Sequence, residues 1–309
     1  MEQEESWFLS RRRKALDIRA RMIGALRRFF LDRDYLEVET PARIPAPAPE
    51  AHIEPVPSGD WFLHPSPELC MKRLLAAGYP RIFQICRCFR QGERGDRHLP
   101  EFTMLEWYRR DIDSRELMDE CEALILSVAK DLGIGETLSY AGKSIRLARP
   151  CPRLSVRDAF AAHASLSLDA AIREDRFEEI LAFEVEPFLG REAPLFLHSY
   201  PIAYGSLARA ERNDPSVAER FELYMAGMEL ANGFAELTDP VEQRRRFDEV
   251  RAEAERRGRA APPQPERFLR ALERMPEASG IALGVDRLAM ILCDAATIDE
   301  VVAFPPEIL

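Results

Sequence analysis

The stretch from Ile82 to Tyr108, IFQICRCFRQGERGDRHLPEFTMLEWY, constrains this chain more than any other, because it reads as two strands joined by a charged loop. In the outgoing strand Phe102, Met104, Glu106 and Tyr108 alternate with Thr103, Leu105 and Trp107. At a period of two the second set is apolar enough to lie against a core, which leaves the first face for function. Arg90, near the end of the incoming strand, can put its guanidinium fork on a phosphate, with Arg97 and His98 adding charge where a polyphosphate tail would lie. Phe102 offers a flat apolar surface to a purine. Any one of these arginines fits a solvated hairpin loop; the whole constellation predicts a nucleotide site.

Length and composition fit an enzyme core. A chain of 309 residues holds one or two domains at roughly 150 residues each, and 46% hydrophobic residues are ample for a sizeable core. We expect one domain over residues 1–309. A formal charge of −10 and a pI near 5.3 argue against a broad nucleic-acid footprint, since the only run of four consecutive Lys and Arg residues is Arg11 to Lys14. No apolar run approaches the roughly 20 residues that span a bilayer, and MEQEESWFLSRRRK has no h-region. The expectation is a soluble, cytoplasmic protein. Cysteines at 70, 86, 88, 121, 151 and 293 are scattered without a CxxC, so they read as small buried thiols, with Cys86 and Cys88 on one strand face.

Helical spacing of Ala15, Ile18, Met22, Ile23, Leu26, Phe29 and Phe30 predicts a helix over residues 12–31, followed by an extended segment ending at Pro41. Six prolines in residues 41–57 predict a stiff extended connection. In SPELCMKRLLAAG, Ser66 suits an N-cap, Pro67 a first turn and Gly78 the helix end. Asp113 with Glu116 forms a capping box ahead of a helix to Leu132. Residues 133–194 mix short strands with helical patches at 156–163 and 169–182. RFELYMAGMELANGFAELTD, from Arg220, reads as two strands broken near Gly227. Parity puts Leu230, Asn232, Phe234 and Glu236 together, with Glu229 entering from the other side and Glu222 on the first strand. Hard cations held between phosphate oxygens want carboxylates of this kind. Helices over 241–257 and 266–275 read as scaffold. SGIALGVDRLAM, from Ser279, is a strand running into a helix, where Gly280 and Gly284 permit close approach of a ligand and Arg287 can lie beside distal phosphates.

FRxxExxxRHxPEFTMLEWY resembles motif 2 of the class II aminoacyl-tRNA synthetases, in particular the lysyl branch and the stand-alone paralogues that attach β-lysine to elongation factor P. GxxxGxDRLxM is similar to motif 3, and the first helix, strand and Pro41 to motif 1, so the likeness runs from about Ser10 to Pro305. It implies an α+β fold: a class II aminoacyl-tRNA synthetase catalytic domain, a mainly antiparallel β-sheet flanked by helices, with motif 1 forming a homodimer interface. It also implies ATP and Mg2+ as cofactors. Arg90, His98 and Arg287 would act in catalysis. ATP would be held by Arg90, Gln91, Gly92, Arg97, His98, Leu99, Phe102, Glu229, Leu230 (by backbone), Gly284 and Arg287, and the metal by Glu222 and Glu229. Lysine or β-lysine would be held by Ser66, Glu68, Glu106, Tyr108, Asn232, Phe234, Glu236 and Ala282, with Glu236 as partner of the side-chain ammonium.

Synthetases of this branch usually carry an acidic residue at position 92 and Asn at position 99, where this chain has Gly92 and Leu99. Adenine contacts then fall to Gln91, the backbone at Gly92 or Glu93. At position 282 lysyl synthetases read Gly and the β-lysine ligases Ala, as here. A first helix near residue 12 leaves no room for the anticodon-reading barrel of lysyl synthetases, so the expected acceptor is elongation factor P, with tRNA disfavoured. The competing readings are a truncated synthetase charging tRNA or a carrier, and a catalytically silent regulatory paralogue.

Overall fold

The alternation at 101–110 is carried through in three dimensions: Leu105 and Trp107 have no exposed surface, and they pack into the main core under three helices. The computed structural model describes the backbone of residues 2–51 and 53–309, and the side chains of residues 9–51 and 53–309. Helix α1 (Glu2–Leu31) starts well before residue 12. Its buried Met22, Ala25, Leu26, Phe29 and Phe30 form the expected stripe, and Phe30 stacks on Phe83 at 4.8 Å and meets Trp107 at 5.1 Å. The proline-rich segment is more than a connection. After the short edge strand β1 (Leu36–Glu37), it carries β2 (Arg43–Ile44) and leads into β3 (Val56–Ser58), and both pair with β4 (Trp61–Leu63) in a small sheet.

Helix α2 (Glu68–Ala76) opens one residue later than the proline suggested, yet the Ser66 hydroxyl still accepts from the Glu68 N–H at 3.0 Å. Strands β5 (Arg81–Phe89) and β6 (Glu101–Arg110) then flank the charged loop, and α3 (Ser114–Asp131) begins at the expected Asp113–Glu116 capping box. Residues 133–194 hold β7 (Thr137–Tyr140), β8 (Lys143–Arg146), β9 (Arg153–Ser155), α4 (Val156–His163), α5 (Leu168–Arg173) and α6 (Phe177–Ile180). The single helical patch expected at 169–182 is broken, because Asp175 turns left-handed at φ 54° and lets Phe177 stack on Phe160 in a second core.

The remaining elements are β10 (Leu195–Pro201), β11 (Val217–Met225), β12 (Met228–Ala235), α7 (Pro240–Arg256), α8 (Glu266–Leu272), β13 (Ala278–Gly284) and α9 (Val285–Cys293). Eight strands form one sheet in the order β1-β5-β6-β13-β12-β11-β10-β9. Every pairing from β5 to β10 is antiparallel and only the two edge pairs are parallel, so the expected α+β, mainly antiparallel architecture is found. One face lies on the core built with α1, α3 and α9; near one end of the other, α2, α7 and α8 gather around Ile82 and Tyr108.

Candidate active site

Strand register writes the site as rows across the free face. One row runs Gln84, Glu106, Ala282, Asn232, Glu222 over five strands, and the next runs Tyr108, Gly280, Phe234, Arg220. Paired residues of neighbouring strands project to the same side, so side chains from distant parts of the sequence become neighbours.

Glu229 joins this face against the parity expectation. The β11–β12 register passes from Leu223↔Ala231 to Tyr224↔Glu229, so Leu230 is an extra residue that shifts the alternation. Leu230 points into the core, as does Leu99, so either can offer a nucleotide only its backbone. The hairpin turn at Ala226 and Gly227 has φ of 56° and 72°, the paired left-handed conformation of a tight two-residue turn.

At one end of the rows lies a cationic grip. Arg90 stands 5.0 Å over the Phe102 ring, its Nε buried without a hydrogen-bond partner, and Glu93 lies at 3.6 Å as a loose counter-charge. Arg287 donates to the Glu229 carbonyl at 2.9 Å, to Glu229 Oε2 at 3.2 Å and to the Arg97 carbonyl at 3.3 Å; its Nη2 lies 2.6 Å from His98 Nε2. Desolvation, and next the Arg287 guanidinium, hold His98 below its usual pKa, with Arg90 contributing in the same direction. His98 is therefore a neutral acceptor that orients Arg287, which corrects the expectation of added charge. Arg97 reaches across to the Gly227 carbonyl at 3.1 Å, while Gln91 and Gly92 sit exposed in the turn beyond Arg90.

Beside the grip lies a buried acidic pocket. Ser66 Oγ and Tyr108 Oη donate to the two oxygens of Glu106 at 2.6 and 2.7 Å. Glu68 accepts from Lys72 at 2.6 Å, and Lys72 Nζ also pairs with Glu236 Oε2 and stands 4.9 Å from the Phe234 ring. Glu236 Oε1 has no hydrogen-bond partner. Gly280 belongs to this pocket's packing and not to a ligand contact, since a Cβ there would meet the Tyr108 ring at 2.2 Å and Glu236 Oε1 at 2.6 Å. Gly284, at the start of α9, has no side-chain or backbone neighbour nearer than 3.7 Å to such a Cβ.

Sequence patterning gives no site role to Lys72, Glu50, Glu186 or Arg220. Lys72 was hidden in an ordinary amphipathic helix, though a Lys one turn after Glu68 was the available signal. Burial and then Glu68 push the Glu106 carboxyl up to about 8; burial and Glu68 also push Glu236 up to about 8, against the opposing pull of Lys72. Glu50, brought in by the proline-rich segment, is pushed up to about 7 by burial and then Glu68. Three carboxyl groups, Glu68, Glu106 and Glu236, thus face one ammonium, Lys72, and the pocket holds more acid than base.

A second acidic group flanks the grip. Glu222 accepts from Tyr200 at 2.5 Å, Tyr224 at 2.6 Å and Arg220 at 2.5 Å, and Asn232 bridges Arg220 and Glu222 at 3.3 and 3.5 Å. Glu186 lies 3.1 Å from the same Tyr224 hydroxyl, and burial, then Glu222 and Glu229, push it up to about 7. One hydroxyl proton cannot serve both carboxylates.

Comparison with known proteins identifies the family. The family of class II tRNA synthetases (D, K and N) matches residues 7–307. The chain is 43% identical over 325 residues to a Pectobacterium atrosepticum protein named elongation factor P--(R)-beta-lysine ligase, covering 99% of each. It is 44% identical over 304 residues to the protein of that name from Edwardsiella ictaluri, covering 93% of each.

Proposed function

From the premise that this chain belongs to the class II tRNA synthetase family that serves Asp, Lys and Asn, we propose that it activates a lysine-type amino acid with ATP and transfers it to a lysine of elongation factor P. The relatives carrying that activity in their name support the reading. The observation that carries it is a buried pocket short of positive charge lying directly beside a pair of arginines that want an anion. A guest with ammonium groups is stabilised by the first, because a buried carboxylate without a partner is costly, and a triphosphate by the second.

In the reaction the amino acid's carboxylate oxygen attacks the α-phosphorus in line, forming the mixed anhydride and releasing pyrophosphate; an acceptor amine then takes the acyl group and releases AMP. Arg90 would hold phosphoryl oxygens as negative charge spreads over them, Phe102 would stack the purine, and Arg287, oriented by neutral His98, would steer the leaving pyrophosphate. Ser66 and Tyr108 fix Glu106 so that both its oxygens aim predictably at a substrate amine.

Magnesium fits the acidic group around Glu229. Glu186, Glu222 and Glu229 repel one another, yet among the described residues they do not come close enough to form a ready cage. That suits an ion that keeps several waters and shares one or two carboxylates with substrate phosphates. When bound, it would neutralise phosphate charge.

The methyl of Ala282 stands in the row between Glu106 and Asn232, at the pocket floor, where it would favour one lysine isomer over another. A dimer through α1 and β1 is part of the same proposal, supported by Leu31 and Leu36, which remain 54% and 49% exposed beside the sheet edge.

The test is ATP–pyrophosphate exchange with L-α-lysine and both β-lysine enantiomers, followed by mass spectrometry of elongation factor P and of tRNA from the same incubation. Exchange with a lysine isomer and a matching mass gain on elongation factor P is expected. No exchange with any isomer refutes the ligase reading, and mass gain on tRNA alone refutes the acceptor.

A further inference from the structure

Next to the nucleotide grip, His64, Cys86 and Cys88 bring one imidazole nitrogen and two sulfurs within 4.8 Å of one another; among the described residues no other group of three His, Cys, Asp or Glu side chains is this close. Cys86 and Cys88 lie two apart on β5 and face the same side, with the sulfurs 4.0 Å apart. His64 arrives from the end of β4, clamped at its backbone by an N–H to the Ala42 carbonyl at 2.8 Å and by its own carbonyl, which accepts from Phe89 at 3.0 Å.

The imidazole is already set for ligation. Its Nε2 lies 2.8 Å from the Arg87 carbonyl, which can only accept, so the proton sits on Nε2 and the Nδ1 lone pair is free. Nδ1 is buried without a hydrogen-bond partner, in a side chain with 1% exposure. A metal-bound histidine usually donates its non-ligating ring N–H to a carboxylate or backbone carbonyl, as Nε2–H does here, which leaves Nδ1 to ligate. Tetrahedral zinc with Zn–S bonds of about 2.3 Å separates two sulfurs by roughly 3.8 Å, close to the 4.0 Å found without moving the backbone. Cys88 is fully buried but Cys86 is partly exposed, which leaves an entrance.

We propose that His64, Cys86 and Cys88 form a three-ligand site for a thiophilic metal ion of the zinc class, with a fourth position open toward solvent at Cys86. Binding converts two thiols to thiolates and releases up to two protons, so the filled site is neutral overall and leaves the charge balance of the neighbouring acidic pocket unchanged. Its consequence is mechanical: an ion joining β4 to β5 pins the strand two residues before Arg90. No sequence spacing of zinc ligands shows this site, because the histidine comes from another strand.

Cobalt(II) reports it directly through sulfur-to-metal charge transfer. The full chain, reduced and stripped with chelator, is titrated with Co2+ and then with Zn2+ against a chromophoric chelator. One equivalent of Co2+ with a thiolate band, displaced by Zn2+, is expected; Cys86→Ser and Cys88→Ala each weaken zinc binding on the order of a hundredfold or more, while Cys70→Ser does not. Cys86 is partly exposed, so its variant keeps the test readable if Cys88→Ala fails to fold. Absence of a thiolate band, or a band that survives Cys86→Ser, overturns the proposal.

Discussion

At the residue scale, the acidic pocket makes the sharpest expectations. Glu236→Gln removes one of the charges that an ammonium guest would meet and leaves Lys72 with Glu68 alone. Loss of one partner of a buried charge pair costs about 2–3 kcal/mol, roughly 30- to 150-fold. That loss should appear in the KM for the amino acid in pyrophosphate exchange, with ATP affinity unchanged; equal losses in both contradict the role. Acidity gives a second check. Glu106 and Glu236 titrate near 8 in the fold and near 4.5 when unfolded, so between those values the folded state binds more protons than the unfolded one. Stability from these groups is present below about pH 4.5 and falls as pH rises toward 8. An ammonium ligand favours the ionised carboxylates, so amino-acid affinity should rise from pH 6 to 8, with protons released on binding. Calorimetry in buffers of different ionisation enthalpy measures this, and buffer-independent heats would refute it. Ala282→Gly removes the floor methyl and should shift the preference between lysine isomers by about 10-fold or more, read as a ratio of kcat/KM in exchange; an unchanged ratio removes Ala282 from specificity.

At the element scale, β13 separates two glycines that look alike in sequence. Gly280→Ala drives a Cβ into the Tyr108 ring and Glu236, a clash typical of overpacking at about 1–3 kcal/mol, and thermal unfolding should show a clear fall in Tm. Gly284→Ala meets only ordinary contacts, so its Tm should stay close to that of the parent while any effect falls on ATP. Equal shifts would mean the rows are packed differently. The bulge at Leu230 is the other decision made at this scale. One extra residue carries Glu229 onto the face of Glu222 and Asn232, where strict alternation puts it away from them. Strand identity was readable from period-two patterning, as at 101–110, but a bulge depends on how two strands pair and has no local signal.

At the scale of the whole molecule, the sheet edge at β1 carries the dimer expectation. Sedimentation should give twice the chain mass, and Leu36→Asp should shift it toward one chain; a monomeric parent would refute the interface. Local chemistry determined a good deal: the helix stripe of Met22, Leu26 and Phe30, the Asp113 cap, the β5–β6 hairpin with Arg90 and Phe102, and the strand-to-helix turn before Arg287 all depend on residues near one another in the chain. Their periods and caps are short-range physics, legible in sequence. What only tertiary structure decided is which charges meet. Lys72 beside Glu236, Glu50 beside Glu68, His98 kept neutral by burial against Arg287, and His64 facing two cysteines join segments that are remote in sequence. Burial and charge shift a pKa through space, so these properties exist only once the strands have found their order.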